Sequence, residues 1–213
     1  MNRSLAFLLL LVAVFAGWRV YSSVKPVEQV EQSSATKTPS AKPGAQICFV
    51  PLDDFPVDQL EGLRTNYRQK YDVEISISKP VLVQPDLRDS SRRQFRAEDL
   101  AASLRSALPE FDKNTILIGF TSEDIYPVSQ DWRFAFGWRS SATTSAVVST
   151  ARLSLPYAGL PASAERSSTR LRKIVTKDIG IFYFGLPQSS NPKSVLYNQI
   201  MGIEELDNVG EDF

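Results

Sequence analysis

Residues 47–77, ICFVPLDDFPVDQLEGLRTNYRQKYDVEISI, carry three hydrophobic patterns in succession. Ile47 to Leu52 is a short continuous apolar run that stops at the turn-forming Asp53, Asp54, Phe55 and Pro56. An uninterrupted run of this length, bounded by a turn, predicts a strand buried on both faces. Val57, Leu60, Leu63, Tyr67 and Tyr71 then recur at helical spacing, and Val73 to Ile77 alternates apolar with polar residues. A helix over 57–71 and a half-buried strand over 73–77 follow from those two periods.

The same alternation of elements continues downstream. A loop with four arginines (Arg88, Arg92, Arg93, Arg96), expected to be solvated, leads to a helix over Ala97–Leu108 that Pro109 stops. Thr115 to Phe120 (TILIGF) is a second fully apolar strand, and further strands are expected at Arg133–Trp138 and Ala146–Leu155. Strands alternating with helices predict an α/β domain whose mixed β-sheet is packed by helices.

The N-terminal region has a different composition. Asn2 and Arg3 precede an apolar run from Leu5 to Trp18, with Val14 and Ala16 as a small-residue pair suited to signal peptidase. Residues 1–21 therefore predict an export signal; the run is shorter than the roughly 20 residues that span a bilayer, which favours cleavage, whereas extension through Val20 and Tyr21 would make it an uncleaved membrane anchor. Residues 22–45 are rich in Ser, Thr, Pro, Lys and Glu without an apolar period, which predicts a flexible polar linker. Residues 46–213, about 170 in number, suffice for one domain with a real core. On this reading the domain is extracytoplasmic: secreted, periplasmic or membrane-anchored.

Composition excludes several chemistries. Twenty-four acids balance 24 bases, so polyanion capture is not the expected activity and no nucleic-acid partner is expected. Cys48 is the only cysteine and lies in an apolar strand, which reads as core; a disulfide within the chain and a cysteine metal cluster are both ruled out. The chain has no histidine, which removes Ser-His and Cys-His catalysis.

The order of motifs resembles the archaemetzincins, a metzincin-clan family of zinc metallopeptidases. The resemblance is carried by VPLDDFP (Val50–Pro56), SSRRQFRAEDL (Ser90–Leu100), IGFTSEDIY (Ile118–Tyr126), FAFGW (Phe134–Trp138) and VVSTARL (Val147–Leu153). It implies a metzincin-like single domain and, on the helix beginning near Ala164, the motif H-E-x-x-H-x-x-G-x-x-H, in which three histidines bind zinc and the glutamate acts on the bound water. In this sequence the corresponding segment is LRKIVTKDIGIFYFGLPQ, residues 171–188. Matching Gly180 to the usual small residue puts Lys177 and Ile181 on the first two ligand positions and Asp178 on the general base. Matching Gly185 to the glycine turn puts Gln188 on the third ligand, one residue out of step with the first alignment. The segment Ser189–Tyr197 resembles the methionine turn beneath the metal, with Leu196 in place of the methionine.

None of these substitutes suits zinc. A lysine ammonium has no lone pair, isoleucine has no donor atom, and a glutamine carbonyl alone is a poor ligand. No cofactor is expected at these degenerate positions, and water there would keep its bulk acidity rather than being lowered to a pKa of about 7 by a metal. Asp178 falls on the apolar side of the helix with Leu171, Ile174, Val175 and Phe182. It reads either as a buried carboxylate satisfied by a backbone amide or an arginine, or as a binding group for a ligand's amine or amide. Lys177, about 100° round the helix, is expected to be solvated. Two functions remain: a non-catalytic pseudo-metallopeptidase that binds an extended peptide or protein partner along an edge strand, or a zinc metallopeptidase with a non-standard metal site.

Overall fold

The computed structural model describes residues 39–157, 159–161 and 163–213. The expected signal or anchor at 1–21 and the linker as far as residue 38 lie outside the described residues. Among those described, no helix is long and apolar enough to cross a membrane.

The first elements are β1 (Gln46–Pro51), α1 (Val57–Tyr71) and β2 (Ile75–Ile77). They are followed by β3 (Arg88–Asp89), β4 (Gln94–Arg96), α2 (Ala97–Ala107), β5 (Thr115–Thr121) and β6 (Ile125–Tyr126). The chain continues through β7 (Gly137–Ser140), β8 (Ser145–Ser149), α3 (Ala164–Phe182) and α4 (Ile203–Asn208). The main sheet has the order β2-β1-β5-β8-β7, parallel throughout except for β7, which pairs antiparallel with β8 at one edge. A small second sheet has the order β3-β4-β6.

The apolar runs are continuous because both faces of the main sheet are covered. On one face Ile47, Phe49, Ile118 and Phe120 join Leu60 and Tyr67 of α1 and Val175 and Ile179 of α3. On the other, Cys48, Val50, Leu117 and Val147 meet Leu100 and Leu104 of α2. Cys48 is fully buried there, and burial raises its thiol pKa, the opposite of what a reactive cysteine needs.

Several expected elements are shorter or different, each for a local reason. β2 starts at Ile75, not Val73, because Asp72 takes a left-handed conformation (φ 54°) and the Val73 N–H donates back to the Tyr67 carbonyl to close α1. The strand expected from Arg133 starts only at Gly137. Upstream of it, Trp132 and Arg133 give their carbonyls to the Arg92 and Gln94 side chains, and Ala135 donates to Ile125, which draws this segment toward the small sheet. The strand expected to reach Leu155 ends at Ser149, where the Ser149 hydroxyl accepts from the Ala151 N–H and the chain turns. The arginine segment, expected as a loop, instead builds β3 and β4, while Arg88, Arg92 and Arg93 are exposed. Arg92 lies 3.9 Å from the Tyr126 ring centroid, Arg88 lies 5.5 Å from that of Phe95, and Arg96 donates to the Asp86 carbonyl and the Asp99 carboxylate.

Cations on α3 organise the C-terminal segment. Arg170, only 1% exposed, donates through Nε and Nη2 to the Asp207 carboxylate (2.7 and 2.6 Å) and through Nη1 to the Leu153 and Leu155 carbonyls (both 2.7 Å). Lys173 Nζ donates to the carbonyls of Leu206 and Asp207, near the C-terminal end of α4. Replacing Arg170 by Leu leaves the buried Leu153 carbonyl, the part-buried Leu155 carbonyl and one carboxylate without their donor. Arg170→Leu should lower unfolding stability by about 3 kcal/mol in urea titration; a loss under about 0.5 kcal/mol would show that α4 is held by its apolar contacts alone.

Candidate binding groove and the degenerate metal positions

Helix α3 opens with Ser163, whose hydroxyl accepts from the Arg166 N–H at 3.1 Å. From Arg170 to Gly180 nearly every side chain is buried, because the apolar face packs into the core against the sheet and α1 while the segment following α3 covers Lys173 and Lys177. That segment begins with a tight turn. Ser189 N–H donates to the Leu196 carbonyl, Asn198 N–H donates to the Ser189 carbonyl, and Ser194 N–H donates to Asn191, which sets Leu196 under the helix. A Cβ built on Gly180 would lie 2.9 Å from Leu196 Cδ2 and 2.8 Å from the Phe213 ring, so the glycine permits this approach.

Lys177 is not solvated as expected. It is 7% exposed, and its Nζ donates to the Tyr197 carbonyl, which the overlying turn brings within reach. Its neighbour Asp178 is 1% exposed, and Oδ1 accepts from Arg139 Nη1 at 2.7 Å. Oδ2 of Asp178 is buried with no hydrogen-bond partner among the described residues. Arg139 sits on the edge strand β7, so the pair fastens α3 to that edge. Burial pushes the Asp178 carboxyl above its usual range, and Arg139 pulls it partly back. Burial, followed by repulsion from Arg139, depresses Lys177 to about 8.

A cavity of about 300 Å³ opens between β7 and the C-terminal segment. Ile174 and Lys177 of α3 line it, together with Trp132, Phe134, Arg139, Ile200 and Met201. The positions aligned to zinc ligands do not converge. Lys177 lines this cavity, Ile181 lines a separate depression beside Lys42 and Lys113, and Gln188 is exposed. Among the described residues, no three His, Cys, Asp or Glu side chains could together hold a metal ion. The donor set does not fit zinc, since the only aligned ligand position at the cavity carries a cation and a second cation stands beside it. Arg139 went unrecognised in the sequence. Its signal was indirect: a carboxylate on an apolar helix face demands a cationic partner, but nothing local says which arginine provides it.

No family model matches the chain. An archaemetzincin of Natronomonas pharaonis is 29% identical over 153 residues, which cover 70% of this chain and 83% of that protein. Three solved structures share the fold. The archaemetzincin of Archaeoglobus fulgidus, crystallised in complex with malonate, has a TM-score of 0.60 at 20% identity over 79% of this chain and 95% of its own. That of Methanopyrus kandleri has a TM-score of 0.61 at 22% identity, over 79% and 88%. A zinc-dependent peptidase of Methanocorpusculum labreanum has a TM-score of 0.65 at 21% identity, over 79% and 95%. The chain is archaemetzincin-like. It contains no histidine, and its α/β fold with a mixed sheet packed by helices is the fold of those solved structures.

In this archaemetzincin-like chain the Lys177 environment has a measurable pH signature. The folded pKa of about 8 lies below the lysine value of 10.5, so between them the unfolded chain binds more protons and stability rises with pH. Between pH 8 and 10 the wild type should gain stability relative to Lys177→Met. Parallel pH dependences of the two proteins would mean that Lys177 titrates as an exposed lysine.

Proposed function

We propose that this chain is a non-catalytic, metzincin-fold binding protein that holds an extended peptide or protein segment in the groove beside β7. The observation that carries the reading is Lys177, buried at the position aligned to the first zinc ligand and donating its proton, with Arg139 alongside. Two adjacent cations disfavour a divalent metal, and Asp178 is engaged by Arg139 rather than free to act on water. Strand β7 is a sheet edge, and Gly137 and Arg139, two residues apart on it, both line the cavity. Edge backbone groups serve strand addition by a peptide while the neighbouring cavity takes a side chain.

The basic start, apolar run and polar spacer of residues 1–45 support a place outside the cytoplasm, with the domain from residue 46 either released or tethered to the membrane. On this reading the protein recognises the kind of segment a peptidase would cut, and retains it intact.

The test is metal analysis combined with a peptide-library digest. The purified protein should hold well under one zinc per chain, and no cleavage should be lost on adding a chelator. Asp178→Asn should change stability or peptide binding without revealing turnover. One tightly bound zinc per chain, with hydrolysis abolished by Asp178→Asn, would establish instead a metallopeptidase with a non-standard metal site.

A further inference from the structure

We infer that the groove selects the C-terminal carboxylate of a peptide whose last residue is large and apolar. This inference rests on the peptide-binding reading above and names what the groove recognises.

The charge around the cavity is unbalanced. Arg133, Arg139 and Lys177 line it against the single acid Asp131, and Asp178 lies behind Arg139. The recorded bonds of the inner cations leave donors free. Arg139 spends Nη1 on Asp178, and its other guanidinium nitrogens have no partner among the described residues. Lys177 spends one of its three ammonium protons on the Tyr197 carbonyl. Asp178 is therefore one negative charge set against two neighbouring cations, Arg139 and Lys177. An anion seated between Arg139 and Lys177 balances the excess positive charge and accepts the free protons of both.

The apolar half of the cavity fixes the rest of the ligand. Trp132, Phe134, Ile174, Ile200 and Met201 all line it, Met201 being 51% exposed. At about 300 Å³ the space is at the lower end of ligand pockets, enough for one large side chain and a carboxylate. In a chain-terminal residue those two groups branch from the same Cα, matching cations and aromatic rings that share one small cavity. An internal residue would present a neutral amide to the two cations, leaving Asp178 as the one negative charge paired with them.

The experiment measures binding of the full chain to a labelled heptapeptide ending in Phe with a free carboxylate, the same peptide amidated, and 3-phenylpropionate alone. The free-acid peptide should bind at least about tenfold more tightly than the amide, the effect of one charge-assisted hydrogen bond. Lys177→Met should erase most of that difference. Equal affinity for acid and amide would overturn the carboxylate inference and leave the peptide-binding reading standing. Binding of neither peptide would remove both. Phenylpropionate binding as tightly as the free-acid peptide would show that the occupant is a small carboxylate, and the peptide terminus would be discarded.

Discussion

A carboxylate taken almost wholly out of water costs several kcal/mol unless a cation accompanies it, and Asp178 meets that condition through a single bond to Arg139. The two residues belong to different layers of the fold, since Asp178 points from α3 and Arg139 rises from the antiparallel edge strand β7. Joining them fixes the spacing between helix and edge, and that spacing defines the groove. Lys177 depends on the same arrangement, because the turn that covers it also presents the Tyr197 carbonyl it needs. The ion pair, the covered lysine and the groove therefore form one structural unit.

The scaffold around this unit keeps the geometry of a metal-binding fold with different chemistry inside it. Leu196 packs under α3 against Gly180, where the resemblance puts the methionine turn. Packing of this kind needs an apolar side chain of suitable shape and a residue without a Cβ, and neither requirement involves a metal. The fold shared with the solved zinc-dependent peptidase is held here by the sheet, α1, α2 and the buried cations of α3. Function has to be argued from the site, and here the site presents cations.

How much of this was legible in the sequence varied with the range of the interaction. β1, α1, α2 and β5 follow from local apolar periods, and they appear within one or two residues of the expected bounds because both sheet faces are buried. Residues 133–136 alternate like a strand but are claimed by Arg92 and Gln94 from 40 residues upstream, a competition that no local window registers. Lys177 was misjudged for the same reason. A helical wheel ranks faces by their own composition and cannot show that a turn 20 residues later covers one of them. The inward-facing carboxylate at 178 was visible on the wheel, whereas its partner on β7 was not.

The most direct test of the account is a double-mutant cycle on Arg139 and Asp178, run in chelator with Arg139→Met, Asp178→Leu and the pair together. If the ion pair holds helix to edge strand, each single change should cost about 3 kcal/mol by stranding the other charge, and the double should cost far less than their sum. Added zinc should leave the wild-type stability unchanged. Additive effects within about 0.5 kcal/mol, or a wild type that zinc stabilises, would contradict the claim that this pair stands where the family's metal chemistry would be.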